Sequence, residues 1–287
     1  MENDTINALE IRGLCKKYTD FALQNIDITL PRGCVMGFVG ENGAGKTTTL
    51  KSILHLIHID AGEIRVLGYH HEKDEKYIKE KIGVVLEDGG FLNTMDADTI
   101  DKLMKKAYQK WDSAQFMEYM KRFGIDQRKK IKEYSKGMRM KTAIAVALSH
   151  HAELLLLDEP TSGLDPIVRD EVLDLFYEFM QDETHAILLS SHITSDLDKI
   201  ADYITFIHAG KVLLSEQHDE LVDNYGILHC TQTQFDALNR EAIRAARKTA
   251  FDWEVLARRD SVPENWHMEP TNIEQIMLLL TKGEVLS

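Results

Sequence analysis

Residues 40–47 read Gly-Glu-Asn-Gly-Ala-Gly-Lys-Thr, the spacing G-x-x-x-x-G-K-[ST]. This segment constrains the fold more than any other, because such a loop works only between a buried strand and a helix. Both flanks are present. Cys34 to Val39 is a short apolar run, and residues 46–57 carry a helical pattern. The glycines let successive N–H groups turn inward around phosphate oxygens, and the helix N-terminus adds partial positive charge. Lys46 is then placed to reach the β and γ phosphates of a nucleotide, and the Thr47 hydroxyl to ligate Mg²⁺. Asn42, Gly43, Gly45 and Thr48 complete the candidate nucleotide contacts of this loop.

A second signal lies at Leu154-Leu155-Leu156-Leu157-Asp158-Glu159. Four leucines form a strand too short for a helix, and two carboxylates stand at its C-terminal edge. That edge is where open α/β sheets bind ligands. Asp158 is the candidate to hold Mg²⁺, directly or through water, and Glu159 to polarise an attacking water. A strand ending in solvated acids would look the same, and it is the pairing with the phosphate loop that favours chemistry.

The rest of the chain alternates strands and helices. Leu9, Ile11, Gly13 and Cys15 alternate with polar residues, as do Ile26, Ile28 and Leu30, which is the period of half-buried strands. From about Asp96 to Leu148 the pattern is helical, and Val168 to Met180 is helical again. Ala186 to Leu189 reads as another buried strand, and residues 203–216 as a hairpin turning at Ala209-Gly210. This alternation predicts a mostly parallel α/β sheet. The last seventy or so residues carry new strands and a helix near 271–281. No internal repeat or low-complexity segment occurs.

Composition narrows the class. The 287 residues carry 34 Lys and Arg against 47 Asp and Glu, a net charge of −13, which argues against nucleic acid as the main partner. No apolar run approaches the ~20 residues of a membrane-spanning helix. The start, Met1-Glu2-Asn3-Asp4, is acidic and polar, unlike a secretory signal. Cys15, Cys34 and Cys230 lie far apart and form neither a zinc spacing nor a disulfide framework. The doublets His70-His71 and His150-His151 lack convergent ligands and read as surface histidines. The expectation is a cytoplasmic chain that reaches a membrane only through another polypeptide.

These motifs, in this order, resemble the nucleotide-binding subunits of ABC transporters over roughly residues 5–220. The resemblance implies an ABC-type nucleotide-binding domain with the phosphate-loop NTPase fold. Its parts are a mostly parallel sheet core, an antiparallel β subdomain and a helical subdomain. Tyr18 falls where the family stacks an aromatic ring on adenine. Tyr134-Ser135-Lys136-Gly137-Met138 occupies the signature position, where the family pattern is Leu-Ser-Gly-Gly-Gln, so Ser135 and Gly137 survive. In the family this segment caps the nucleotide of the opposite subunit. Lys136 adds a cation that either helps hold phosphate or is solvated. Ser162-Gly163-Leu164-Asp165 matches the loop that joins the two nucleotide sites, and His192 matches the switch histidine that contacts the γ-phosphate and orients Glu159. One departure stands out: Glu87 replaces a glutamine that in the family touches Mg²⁺ and senses the membrane partner. A carboxylate still ligates Mg²⁺ but donates no hydrogen bond, so either turnover or coupling changes, or the substitution is neutral.

The resemblance further implies an ATPase that binds ATP and Mg²⁺. Two chains, as a homodimer or heterodimer, would pack head to tail around two ATP molecules. Each site would combine Lys46, Thr47, Asp158, Glu159 and His192 of one chain with Ser135 and Gly137 of the other, and Asp165, in the loop joining the two sites, is a further candidate nucleotide contact. An integral-membrane permease would dock near Gly89 to Leu92, although Phe91 and Leu92 read equally well as core. Localisation would be cytoplasmic, peripheral on the inner face of the membrane. The expected division is an ATPase domain over 1–216, with its helical subdomain at about 90–145, and a small α+β accessory domain over 217–287. The signature variant, Glu87 and the C-terminal extension look similar to short bacterial ATPases of export systems for antimicrobial or amphipathic peptides. Competing readings are a soluble ABC-type ATPase acting on ribosomes or DNA, and an ATP-gated module with little turnover.

Overall fold

The structure, a computed structural model, describes residues 6–86, 90–263 and 266–285. The centre is a six-stranded sheet in the order Lys211–Gln217, Tyr203–His208, Val35–Val39, Ala186–Ser191, Leu154–Asp158, Ile82–Val85. All neighbours are parallel except the edge strand Lys211–Gln217, which returns antiparallel on Tyr203–His208. Val35–Val39 and Leu154–Asp158 are buried at every position. For all but Asp158 that follows from their apolar sequences, since helices and a second sheet cover both faces. Three strands end together, at Val39, Asp158 and Ser191, and deliver the phosphate loop, the acidic pair and His192 to one edge.

A second, four-stranded antiparallel sheet has the order Ala22–Leu30, Leu9–Lys17, Ala61–Val66, Tyr69–His70. Its alternating sequences bury Leu9, Ile11, Leu14, Ile26 and Ile28 on one face, against Met36, Phe38 and Leu188 of the central sheet. The helical stretch breaks into Ala97–Ala107, Ser113–Arg122 and Lys136–Leu148, with a 3-10 turn at Ile131–Glu133. The breaks coincide with capping residues. Asp96 accepts from Thr99 N, Asp112 from Ala114 N and Gln115 N, and Ser135 from Met138 N. The last helix is buried throughout from Met140 to Leu148, as its sequence predicts.

Several boundaries differ from expectation. The helix after the phosphate loop is Lys46–Ile53 and stops early, because His55 adopts a left-handed φ of 52°. The helix expected from Val168 starts at Pro166, where Asp165 caps Val168 N and proline suits the first turn. The strand from Ala186 runs on through Ser191. Phe91 packs into the core, whereas Leu92 is 65% exposed.

The surface reading of the histidine doublets is wrong for one member of each. His71 is 2% and His150 1% exposed. His150 Nδ1 and Nε2 lie 3.1 Å from Val146 O and 3.0 Å from Ile82 O, so the ring bridges a helix end and a strand start. His71 has no hydrogen-bond partner on either ring nitrogen. Burial lowers the pKa of both rings, outweighing for His71 the pull of the Glu72 carboxylate.

The C-terminal residues form a five-stranded antiparallel sheet in the order Met268–Glu269, Tyr225–Cys230, Trp253–Arg258, Ile243–Lys248, Glu284–Val285, with a helix at Ile273–Lys282. Asn272 caps that helix through Gln275 N. One apolar cluster runs from Leu197, Ile200 and Phe206 through Leu221, Ile227 and Leu256 to Ile276 and Leu279, so this sheet shares its core with the central one. Among the described residues no helix is long and apolar enough to cross a membrane.

Candidate nucleotide site

The phosphate loop is built by close approach. An ideal Cβ on Gly40 would stand 2.4 Å from Ile207 O, so the first glycine lets the loop pass directly under the neighbouring strand. Ala44 O accepts from Gly210 N at 2.9 Å, which anchors the loop's far side to the hairpin turn. Glu41, Asn42 and Gly43 are exposed at the tip. Lys46 is buried and folded back, donating to Gly40 O at 2.7 Å, with its ammonium 3.4 Å from Glu159 Oε1. Thr48 lies on the following turn, its carbonyl accepting from Ser52 Oγ.

The acidic strand end meets this loop. Thr47 Oγ1 donates to Asp158 Oδ2 at 3.0 Å, and Ser190 Oγ donates to Asp158 Oδ1 at 2.7 Å. A buried carboxylate flanked by a hydroxyl is the hard-oxygen donor set that suits Mg²⁺ beside a nucleotide. Glu159 follows with a left-handed φ of 52°, rare for a residue with a Cβ, and its N–H donates to Ser190 O at 3.1 Å. The turn aims its carboxylate at His192, whose Nδ1 lies 2.6 Å from Glu159 Oε2 and whose N–H donates to the same oxygen at 3.3 Å. Glu159 Oε1 is buried and accepts no hydrogen bond. With Nδ1 committed to the carboxylate, His192 Nε2 is left to face a ligand.

Other predicted residues are placed around this centre. Tyr18 is exposed at the end of Leu9–Lys17, with Lys16 Nζ 5.6 Å from its ring centroid. Tyr18 N donates to Phe21 O at 2.7 Å, and the same hairpin sends Phe21 and Leu23 against Gly45 of the phosphate loop. Ser135 and Gly137 open the helix Lys136–Leu148. Gly137 lets that helix approach Val168, where an ideal Cβ would come within 3.2 Å of Cγ1. Within one chain, no hydrogen bond or ion pair among the described residues joins Ser135 or Gly137 to the phosphate loop. Asp165 serves as a helix cap, accepting from Val168 N at 3.1 Å. Glu87 and Gly89 lie outside the described residues.

Two contributors escaped the sequence reading. Ser190 fixes both Asp158 and, through its backbone oxygen, Glu159. Asp196, buried one turn beyond His192, accepts from Thr161 Oγ1 at 2.7 Å and pairs with Arg169. It thereby ties the segment after Glu159 to the helix after His192. Neither residue carries a motif: sheet pairing brings in Ser190, and the packing of the helix Thr194–Ile200 onto the segment after Glu159 brings in Asp196.

Residues 23–162 match the ABC transporter family. The bacitracin transport ATP-binding protein of Bacillus licheniformis is 34% identical over 202 residues, covering 70% of this chain and 66% of that one. The lantibiotic transport ATP-binding protein of Streptococcus pyogenes is 31% identical over 214 residues, 74% of this chain and 91% of the relative. The chain belongs to the ABC transporter family. Within that family it is an ATP-binding subunit, an ATPase. A solved ATP-binding subunit of an ABC transporter superposes with a TM-score of 0.68 at 25% identity, over 75% of this chain and 91% of the other. The family's mixed α/β architecture is the one described above.

Proposed function

We propose that the chain hydrolyses Mg²⁺-ATP as one half of a head-to-tail homodimer and thereby drives a separate integral-membrane permease from the cytoplasmic face. The observation that carries this reading is the single cradle formed by Thr47, Asp158, Ser190, Glu159 and His192, with Lys46 at its floor. Bound Mg²⁺ would neutralise charge on the β and γ phosphates, and Thr47 with Asp158 would hold it. Lys46 exchanges Gly40 O for phosphate oxygens. Glu159 polarises the attacking water, and His192, held by Glu159, presents Nε2 to the γ-phosphate. Ser135 and Gly137 of the second copy close the site, so ATP cements the pair and its hydrolysis releases it.

Relatives named for bacitracin and lantibiotic transport support a peptide or lipid-like amphiphile as the cargo, and export is the direction we propose. We divide the chain into an ATPase domain over 1–216, with a helical subdomain at about 90–145, and an accessory domain over 217–287. The test is Glu159→Gln. Removing the base costs about 10²–10⁴-fold in hydrolysis while leaving the binding groups in place, so ATP should trap a dimer visible by light scattering. Lys46→Ala in the same background should abolish that dimer. A Glu159→Gln chain that turns over like the parent refutes the assignment. Co-purification of a multi-spanning protein with the tagged chain tests the permease half.

A further inference from the structure

Three strands of the C-terminal sheet meet a cavity of about 620 Å³ at the same end. Small-molecule sites run from about 300 to 1,000 Å³, so the space suits a ligand of that class. Tyr225 opens the strand Tyr225–Cys230 and pairs across the ladder with Arg258, the last residue of Trp253–Arg258. Arg244 stands on the next strand, Ile243–Lys248, as the extra residue of a bulge: Ile243 pairs with Ala257 and Ala245 with Leu256. A bulge re-aims one side chain out of the ladder, and Arg244 lines the cavity. Arg240 and Glu241, from the 3-10 turn before that strand, complete the polar lining.

This lining is cationic in a chain of net charge −13. Among the described residues, three guanidinium groups face the cavity against one carboxylate, Glu241. Their present partners hold them loosely. Arg258 meets Asp260 at 3.1 Å in an exposed pair, and Arg244 lies 3.9 Å from Glu216. Arg240 makes no ion pair among the described residues and lies over the Phe235 ring, 5.1 Å from its centroid. Tyr225 points independently to a ligand. It is 8% exposed, and its hydroxyl makes no hydrogen bond among the described residues, yet it is not sealed off as that of Tyr134 is. Burial and the Glu216 carboxylate push the phenol above its ordinary pKa, against the pull of Arg244 and Arg258, so it remains a donor. A buried ring thus offers one unspent O–H beside the guanidinium groups. Arg244 also donates to Leu213 O at 3.0 Å, on the edge strand of the central sheet, so the cavity lies at the seam between the two sheets.

We propose that this cavity binds a small phosphate monoester, gripped by Arg240, Arg244 and Arg258 and by the Tyr225 hydroxyl. Guanidinium forks match phosphate oxygens two at a time, and a dianion engages more than one fork. Ile243 and the Tyr225 ring supply an apolar wall for the organic part. The site takes no residue from the nucleotide cradle, so it stands independently of the role assigned to that cradle.

The experiment is a calorimetric titration of phenyl phosphate into the full chain, with the nucleotide site saturated by Mg²⁺-ADP. One site per chain is expected. Tyr225→Phe keeps the ring and removes the O–H, and should weaken binding by about 10-fold or more, the size of one hydrogen bond to a charged group. Arg258→Gln should weaken it at least as much. Arg247→Gln, which removes a guanidinium paired with Glu254 outside the cavity, should bind like the parent. Benzoate, with the same ring and a single charge, should bind about 10-fold more weakly. Absence of saturable heat with phenyl phosphate at millimolar concentration refutes the site. Parent-like binding by both cavity variants puts the ligand elsewhere and refutes it as well, as does an equal loss in Arg247→Gln, which marks diffuse attraction to positive charge. Equal affinity for benzoate overturns the phosphate assignment. Tyr225→Phe preserves packing, so it decides the matter even where Arg258→Gln fails to fold.

Discussion

Removal of a single hydroxyl probes the acidic strand end. Asp158 is almost fully buried and has two hydroxyl donors, Thr47 at 3.0 Å and Ser190 at 2.7 Å. Ser190→Ala leaves Oδ1 without its donor and gives no water a route in, since Ser190 itself is fully buried. A buried hydrogen bond to a charged group contributes about 1.5–3 kcal/mol. At about 2–4 °C per kcal/mol for a chain of this size class, Tm should fall by about 3–12 °C. A urea titration read at 25 °C should report the loss directly. The same change loosens the carboxylate that would hold Mg²⁺, so the Mg²⁺ concentration for half-maximal hydrolysis should rise several-fold. Ser191→Ala is the matched control. Ser191 is equally buried, but its hydroxyl accepts from Ile193 N at 2.9 Å and does not touch Asp158. Its Mg²⁺ midpoint should stay at the parent value. Two results would refute the reasoning: a Ser190→Ala chain within 0.5 kcal/mol of the parent, roughly the error of such measurements, or Mg²⁺ midpoints shifted equally by both variants.

Two further outcomes follow from the geometry. Gly210→Ala should destabilise by at least about 3 kcal/mol, because its Cβ would meet Ala22 O at 1.8 Å in a left-handed turn at φ 74°. Nucleotide affinity should fall with it, since Gly210 N anchors Ala44 of the phosphate loop, and a variant melting like the parent would sink the argument. Stability should also fall as pH drops below about 6.5, where unfolded histidines take up protons that buried His71 and His150 resist. Both native pKa values are depressed, so the contribution is fully present above the unfolded value and is lost toward lower pH. His71→Leu should flatten this slope between pH 7.5 and 5.5 by up to about 1.4 kcal/mol per pH unit. An unchanged slope would show that His71 is not the group responsible.

The parts of the site legible in the sequence are those whose chemistry forces a local pattern. Lys46 and Thr47 must follow glycines at fixed spacing, and Asp158 and Glu159 must end an apolar strand. Ser190 was invisible because its role comes from lying beside Asp158 in the sheet, 32 residues away along the chain. Asp196 was hidden because its role comes from a helix residue meeting Thr161, 35 residues away along the chain. The histidine doublets misled because a polar pair at a turn looks solvated in any linear reading. The two carbonyls that bracket His150 belong to residues 4 and 68 positions away. The early stop at Ile53 depends on a backbone turn at His55 that no propensity encodes.

The apolar seam joining Leu197, Ile200 and Phe206 to Ile276 and Leu279 has a practical consequence. A chain cut after the Tyr203–Gln217 hairpin would not be a smaller version of this protein. It would carry a newly bared aliphatic face on the helix that directly follows His192, and would be expected to self-associate there. Exchanging C-terminal extensions between relatives therefore requires moving both sides of the seam together. An extension that drifts in sequence is tethered, through that helix, to the residue that holds Glu159.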